Sequence, residues 1–349
     1  MRFFHPLQPQ TLFYLTAQEL VAYVEATVPR DKILVLVGGS SYFRGTGQNP
    51  DELWSHELQR LLGDRYAVVN YAIDQAGISA FAGVVHQILS PRYPRIVYVS
   101  SGTPFYNDPL DGGETYRHLY WDAYYKGMLK HDPVWQERVQ REIARELRTD
   151  AGKELHLGKR LDAVTYACDL WQWIGYHWLF TVWSDYYPAH PFRPRGKYVE
   201  FDDPSIAEAQ RRNRDDTEAR KRHEANNLWF ARVGYVEKSD GQWELEPQTK
   251  VQITERYDRF LLPAVRSRTL IVLLYGNPFF QQSLTAADHA RVRSTVQLTQ
   301  DIAEGLGYQA VQAGADFPPE DFVDAGHFMA SGGRKIARIV AEKIQSMKL

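Results

Sequence analysis

Sulfur is scarce in this chain: one cysteine, Cys168, and four methionines among 349 residues. A single thiol cannot form a disulfide within the chain, which fits a reducing compartment and makes the cytoplasm the expected location. Neither sign of charge is in excess. Lys and Arg number 41 against 43 Asp and Glu, a formal net charge of −2. A general nucleic-acid binder needs a basic surplus to neutralise phosphates, so none is expected as partner. Long apolar runs are missing too. The most apolar window, 166–183, carries Asp169, Gln172 and His177 and is too short and polar for a membrane span. The N-terminal stretch MRFFHPLQPQTLFYLTAQEL lacks the charged, apolar and small-residue succession of a secretory leader. His118, His131, His156, His177 and His190 show no metal-ligand spacing, so neither metal nor cofactor is expected.

What is present is an alternation. ILVLVGG (33–39) reads as a buried strand ending in a turn. NPDELWSHELQRLLG (49–63) reads as a helix with Asn49 as cap, Pro50 at the first helical position, Glu52 completing a capping box and Gly63 ending it. YAVVNYA (66–72) is a second strand, ISAFAGVVHQIL (78–89) a second helix and RIVYVSSG (95–102) a third strand. The alternation resumes with a strand at TLIVLLYGNP (269–278) and a helix over 285–307. A weak strand at YQAVQAG (308–314) and a helix over 331–347 close the chain. Apolar strands alternating with helices predict an α/β fold whose parallel sheet is covered on both faces.

Between these halves lies a long, aromatic-rich, mostly helical stretch. The expected organisation is a discontinuous α/β domain, 1–108 and 268–349, split by an insertion over 109–267. Within the insertion, 207–224 reads as a mixed-charge helix with a solvated face, and 234–246 as a hairpin turning at Asp240-Gly241. Its aromatic rings, Trp121, Trp173 and Trp178 among them, read either as a subdomain core or as a lid that packs on substrate.

Ligands of open parallel sheets bind beyond the carboxyl ends of the strands, and polar clusters fall there. Taken alone, Gly38-Gly39-Ser40-Ser41 is a turn. It lacks the Gly-Lys-Ser/Thr of a phosphate loop, and Tyr42 stands where the second glycine of G-x-S-x-G belongs. Taken alone, Asp324-x-x-His327 is a capped loop. Taken together, VLVGGSS, VVNYAIDQAG, VYVSSGTPFYND and DAGHFMASGGRKIA resemble the four ordered blocks of the SGNH/GDSL hydrolase family, with Gly39 in place of the Asp of G-D-S. The resemblance covers about 32–108 and 269–344.

That resemblance implies a flavodoxin-like three-layer α/β/α fold. It implies Ser40 as nucleophile, His327 as general base and Asp324 as the group orienting His327. The oxyanion donors would be the backbone N–H groups of Ser40 and Gly77 and the side-chain amide of Asn107. Ser41 is read as a structural hydroxyl, with a shift of one residue within the serine pair left open. Asn277 is a fallback donor whose plainer reading is a strand-end turn. Two departures stand out: Gly77 follows Asn70 later than in the family, and Asn107 lies five residues past Gly102 instead of in a compact G-x-N-D. The implied function is hydrolysis of a carboxylic ester, an O-acetyl or short acyl group on a small molecule or glycan, through an acyl-Ser40 intermediate. Acyl transfer to a glycan hydroxyl on the same residues, and a catalytically degenerate glycan- or partner-binding protein, are the alternatives.

Overall fold

The computed structural model describes residues 17–48, 50–72, 81–102, 123–129, 133–148, 153, 217–261 and 263–349. Strands β1 (Ile33–Val37), β2 (Tyr66–Asn70), β3 (Ile96–Gly102), β6 (Thr269–Leu274) and β7 (Gln309–Ala313) form one parallel sheet in the order β2-β1-β3-β6-β7. This is the doubly wound α/β arrangement, with the direction of winding reversing between β1 and β3.

Because side chains alternate across a strand, each apolar run serves both faces. Ile33, Val35 and Val37 of β1 face one cluster, to which α3 (Trp54–Leu62) gives Trp54, Leu58 and Leu62 and α10 (Ala330–Ser346) gives Ile336, Val340 and Ile344. Leu34 and Leu36 face the other cluster, covered by α1 (Ala17–Thr27), α4 (Phe81–Leu89), α7 (Pro247–Phe260), the short α8 (Pro263–Arg266) and α9 (Ala286–Gly305). Pairing of α3 with α10 on one face sets the loops that precede these two helices side by side at the carboxyl edge of the sheet.

The helix expected over 49–63 is divided. A 3-10 turn spans Pro50–Glu52, Leu53 is extended, and α3 begins at Trp54. The cap comes from Gln48, whose Oε1 accepts the N–H of Trp54 at 2.8 Å. Gly63 ends the helix at φ 74°, as its position suggested. The mixed-charge helix is described as α6 (Thr217–Arg232), with Arg220–Glu224 and Lys221–Glu218 pairs on its partly exposed side.

The described parts of the insertion share the core of the sheet. Ala123, Leu129, Ile143 of α5 (Pro133–Glu146), and Ile253, Tyr257 and Leu261 in and after α7 lie in the same cluster as β1, β3 and β6. Helix α7 thus adds to the core of the sheet although it precedes the boundary at 268 expected from the sequence. The hairpin pairs β4 (Tyr235–Glu237) with β5 (Trp243–Leu245). Its loop is Ser239-Asp240-Gly241, closed by the N–H of Lys238 on the carbonyl of Gln242 at 2.7 Å, with Gly241 at φ +77°. Asp240 accepts the N–H of Gln242, so the turn is one residue longer than the Asp240-Gly241 pair expected. The guanidinium groups of Arg232 and Arg291 both lie over the Trp243 ring, and both reach the buried Asp288. Burial pushes the Asp288 carboxyl up, but hydrogen bonds from Thr285, Arg232 and Arg291 outweigh it and hold the group well below the usual carboxylate range. Among the described residues no helix is long and apolar enough to cross a membrane.

Candidate active site

After β1 the chain turns at Gly39, whose φ of +96° favours glycine. A β-carbon there would also lie 3.0 to 3.1 Å from the Ser101 and Ser100 hydroxyls at the end of β3. Ser40 is then extended, at φ −82° and ψ −175°, and caps the one-turn helix α2 (Ser41–Arg44). This path sends the two serines in opposite directions. Ser40 goes down to the sheet: its hydroxyl lies 3.1 Å from the Ser101 hydroxyl, with both residues buried. Ser41 goes up, and its hydroxyl lies 2.8 Å from Nε2 of His327.

His327 is held by its own loop. Its Nδ1 lies 2.6 Å from Oδ2 of Asp324. The carboxylate can only accept, so Nδ1 carries the proton and Nε2 is left to accept from Ser41. The other carboxylate oxygen accepts the backbone N–H groups of Gly326 at 2.9 Å and His327 at 2.8 Å. Burial raises the Asp324 pKa, but hydrogen bonding and charge interaction with His327 and the two backbone donors outweigh it, leaving the carboxyl below its usual range. The side chains of His327 and Asp324 keep 23% and 30% of their exposure, so the site is open to a ligand.

Several contacts fix the loop. Asn277, just past β6, donates its side-chain amide to the carbonyl of Asp324 at 2.9 Å, and its backbone N–H to the carbonyl of Ala325 at 2.9 Å. Its Oδ1 accepts the N–H of Phe279. Asn277 is therefore the strand-end turn of its plainer reading, spent on holding the loop. Gln48 joins the serine loop to the His327 loop by donating to the carbonyl of Phe328 while accepting from Trp54. Tyr42 lies against the imidazole, ring centroids 5.0 Å apart, and Gly326 makes room for it: a β-carbon there would stand 2.5 Å from the Tyr42 ring.

The structure thus brings together His327 and Asp324 as expected, but the hydroxyl on the imidazole is that of Ser41, one residue after Ser40. The expected oxyanion role of the Ser40 N–H meets the same shift, since that group faces the Ser101 hydroxyl at 3.5 Å. The carbonyl of Ser40 accepts from Phe43 at 2.9 Å and Arg44 at 3.1 Å. Across a trans peptide the N–H of Ser41 points the opposite way from that carbonyl, away from the body of α2. Gly77, Asn107, Trp121, Trp173 and Trp178 lie outside the described residues. Sequence reasoning missed Gln48, Tyr42 and Ser101 as neighbours of the site. Only the serine doublet signalled the shift, because Gly38-Gly39-Ser40 and Gly39-Ser40-Ser41 both read G-x-S. No family model matches the chain, and neither does any curated protein or solved structure.

Proposed function

We propose that this protein is a serine hydrolase that cleaves a carboxylic ester, an O-acetyl or short acyl ester of a small molecule or glycan, through an acyl-Ser41 intermediate. The observation that carries this reading is the continuous chain from Ser41 Oγ through His327 to Asp324, with contacts of 2.8 and 2.6 Å. A serine hydroxyl is a poor nucleophile until a base takes its proton, and an imidazole whose other nitrogen is pinned to a carboxylate is such a base. Doubly wound sheets place their sites at this edge, and the block resemblance points the same way.

Ser41 Oγ attacks the ester carbonyl carbon as His327 Nε2 takes its proton. The carbonyl oxygen gains the negative charge, with the Ser41 N–H as one donor toward it. The intermediate collapses, the C–O bond to the alcohol breaks, and His327 returns the proton to the leaving oxygen. Water then attacks the acyl-Ser41 carbonyl, His327 takes a proton from it, and the free acid departs as Ser41 Oγ is reprotonated. Asp324 stays ionised throughout and stabilises the imidazolium formed in each half-reaction.

Release of p-nitrophenol from p-nitrophenyl acetate tests the assignment. Ser41→Ala is expected to lower kcat by at least about 10³-fold, while Ser40→Ala keeps measurable turnover. Full activity in Ser41→Ala would remove the serine from the mechanism. Faster product formation on adding a polyol would favour acyl transfer over hydrolysis.

A further inference from the structure

We infer that Ser101, at the end of β3, is a positioning residue for the oxyanion donor, acting through Ser40; this rests on Ser41 being the nucleophile. Ser101 is 6% exposed and Ser40 4%, yet each carries a hydroxyl, and the two lie 3.1 Å apart. A buried hydroxyl has to be partnered, and here each partners the other. The Ser40 N–H also turns to the Ser101 oxygen, at 3.5 Å. Ser101 therefore grips Ser40 by both its side chain and its backbone.

What this grip fixes is the plane of the next peptide. Ser40 has a single rotatable side-chain bond before its oxygen, so tethering that oxygen to β3 restrains the backbone at the cap. The cap conformation, φ −82° and ψ −175°, directs the Ser40 carbonyl into α2 and so the Ser41 N–H outward, toward an oxygen bound above Ser41. Gly39 contributes by leaving this space free: a β-carbon there would stand 3.0 to 3.1 Å from the Ser101 and Ser100 hydroxyls. The tether comes from β3, the strand paired with β1. Without it the four-residue helix would hold the amide alone. Neither hydroxyl has a part in proton transfer, because the His327 imidazole is committed to Ser41 and Asp324.

The test is a double-mutant cycle on Ser40→Ala and Ser101→Ala, with kcat, KM, melting temperature and the affinity of a trifluoromethyl ketone, which forms a tetrahedral oxyanion on the nucleophile. Each single variant is expected to lower kcat by about tenfold with KM within about twofold, and to weaken the ketone by the same factor as kcat/KM. The double variant is expected to lose no more than either single one, since the pair acts as a unit. A merely structural role would lower the melting temperature without the parallel loss of ketone affinity. Ser101→Ala at wild-type kcat, a loss confined to KM, or losses that multiply in the double variant would each overturn the inference. If Ser41→Ala retains wild-type esterase activity, the reading of Ser41 fails and this inference falls with it. If Ser41→Ala is dead and Ser101→Ala is unchanged, only this inference fails.

Discussion

At the scale of single residues, the site turns on which atoms carry protons. Asp324 uses both oxygens: one takes the imidazole Nδ1–H and the other takes two backbone N–H groups of its own loop. Asp324→Asn would keep the second role, since an amide oxygen accepts as well. It would reverse the first, because the amide nitrogen donates and forces the opposite tautomer, with a proton on Nε2 facing Ser41. The expected result is a kcat lower by about 10²–10⁴-fold with little change in melting temperature, measured by ester hydrolysis and thermal unfolding. A variant within about tenfold of the wild type would show that the carboxylate is not what sets the tautomer. The depressed pKa of Asp324 adds a sign. The stability its ionised form contributes is fully present above the ordinary carboxylate value of 3.8 and is lost only as pH falls through its lower folded value.

At the scale of elements, helices α3 and α10 explain why Ser41 and His327, 286 residues apart, meet. Each helix follows one of the two loops, and both bury apolar stripes on the same face of the sheet. Gln48 completes the pairing by capping α3 and holding the loop before α10. Helix α4 on the opposite face carries a different constraint. His86 is fully buried, with Nδ1 3.3 Å from the Thr269 hydroxyl, which itself donates to the carbonyl of Val265. Its Nε2 has no hydrogen-bond partner among the described residues. Burial, with a smaller contribution from the charge of Arg268, lowers its pKa from 6.5 to about 3. The unfolded chain therefore takes up this proton first, and stability falls as pH drops from 6.5 toward 3, by up to about 1.4 kcal/mol per pH unit. His86→Leu is expected to flatten that limb in urea titrations at pH 7, 5.5 and 4. An unchanged slope would mean that other groups control acid unfolding.

At the scale of the whole molecule, much of the architecture was legible because apolar strands and helical stripes repeat with their own periods. The five sheet strands, the helix ending at Gly63 and the closing helix all fall where their patterns lie. Two features were harder to read. Gln48 as the cap of α3 depends on a side chain folding back from six residues upstream, which no capping pattern encodes. The choice between Ser40 and Ser41 depends on the left-handed turn at Gly39 and on hydroxyls at the end of β3, a strand that lies beside β1 only in the fold. The pairing of the imidazole with its carboxylate was easier to read, since three residues of spacing let one loop hold both.

The claim on which the rest depends is that the fold presents Ser41, and not its neighbour, to the imidazole. Labelling the wild-type protein with a fluorophosphonate and sequencing the modified peptide by tandem mass spectrometry tests this directly, because fragment ions between the two serines separate them. The adduct is expected on Ser41. An adduct on Ser40, or no adduct at all, would contradict the account.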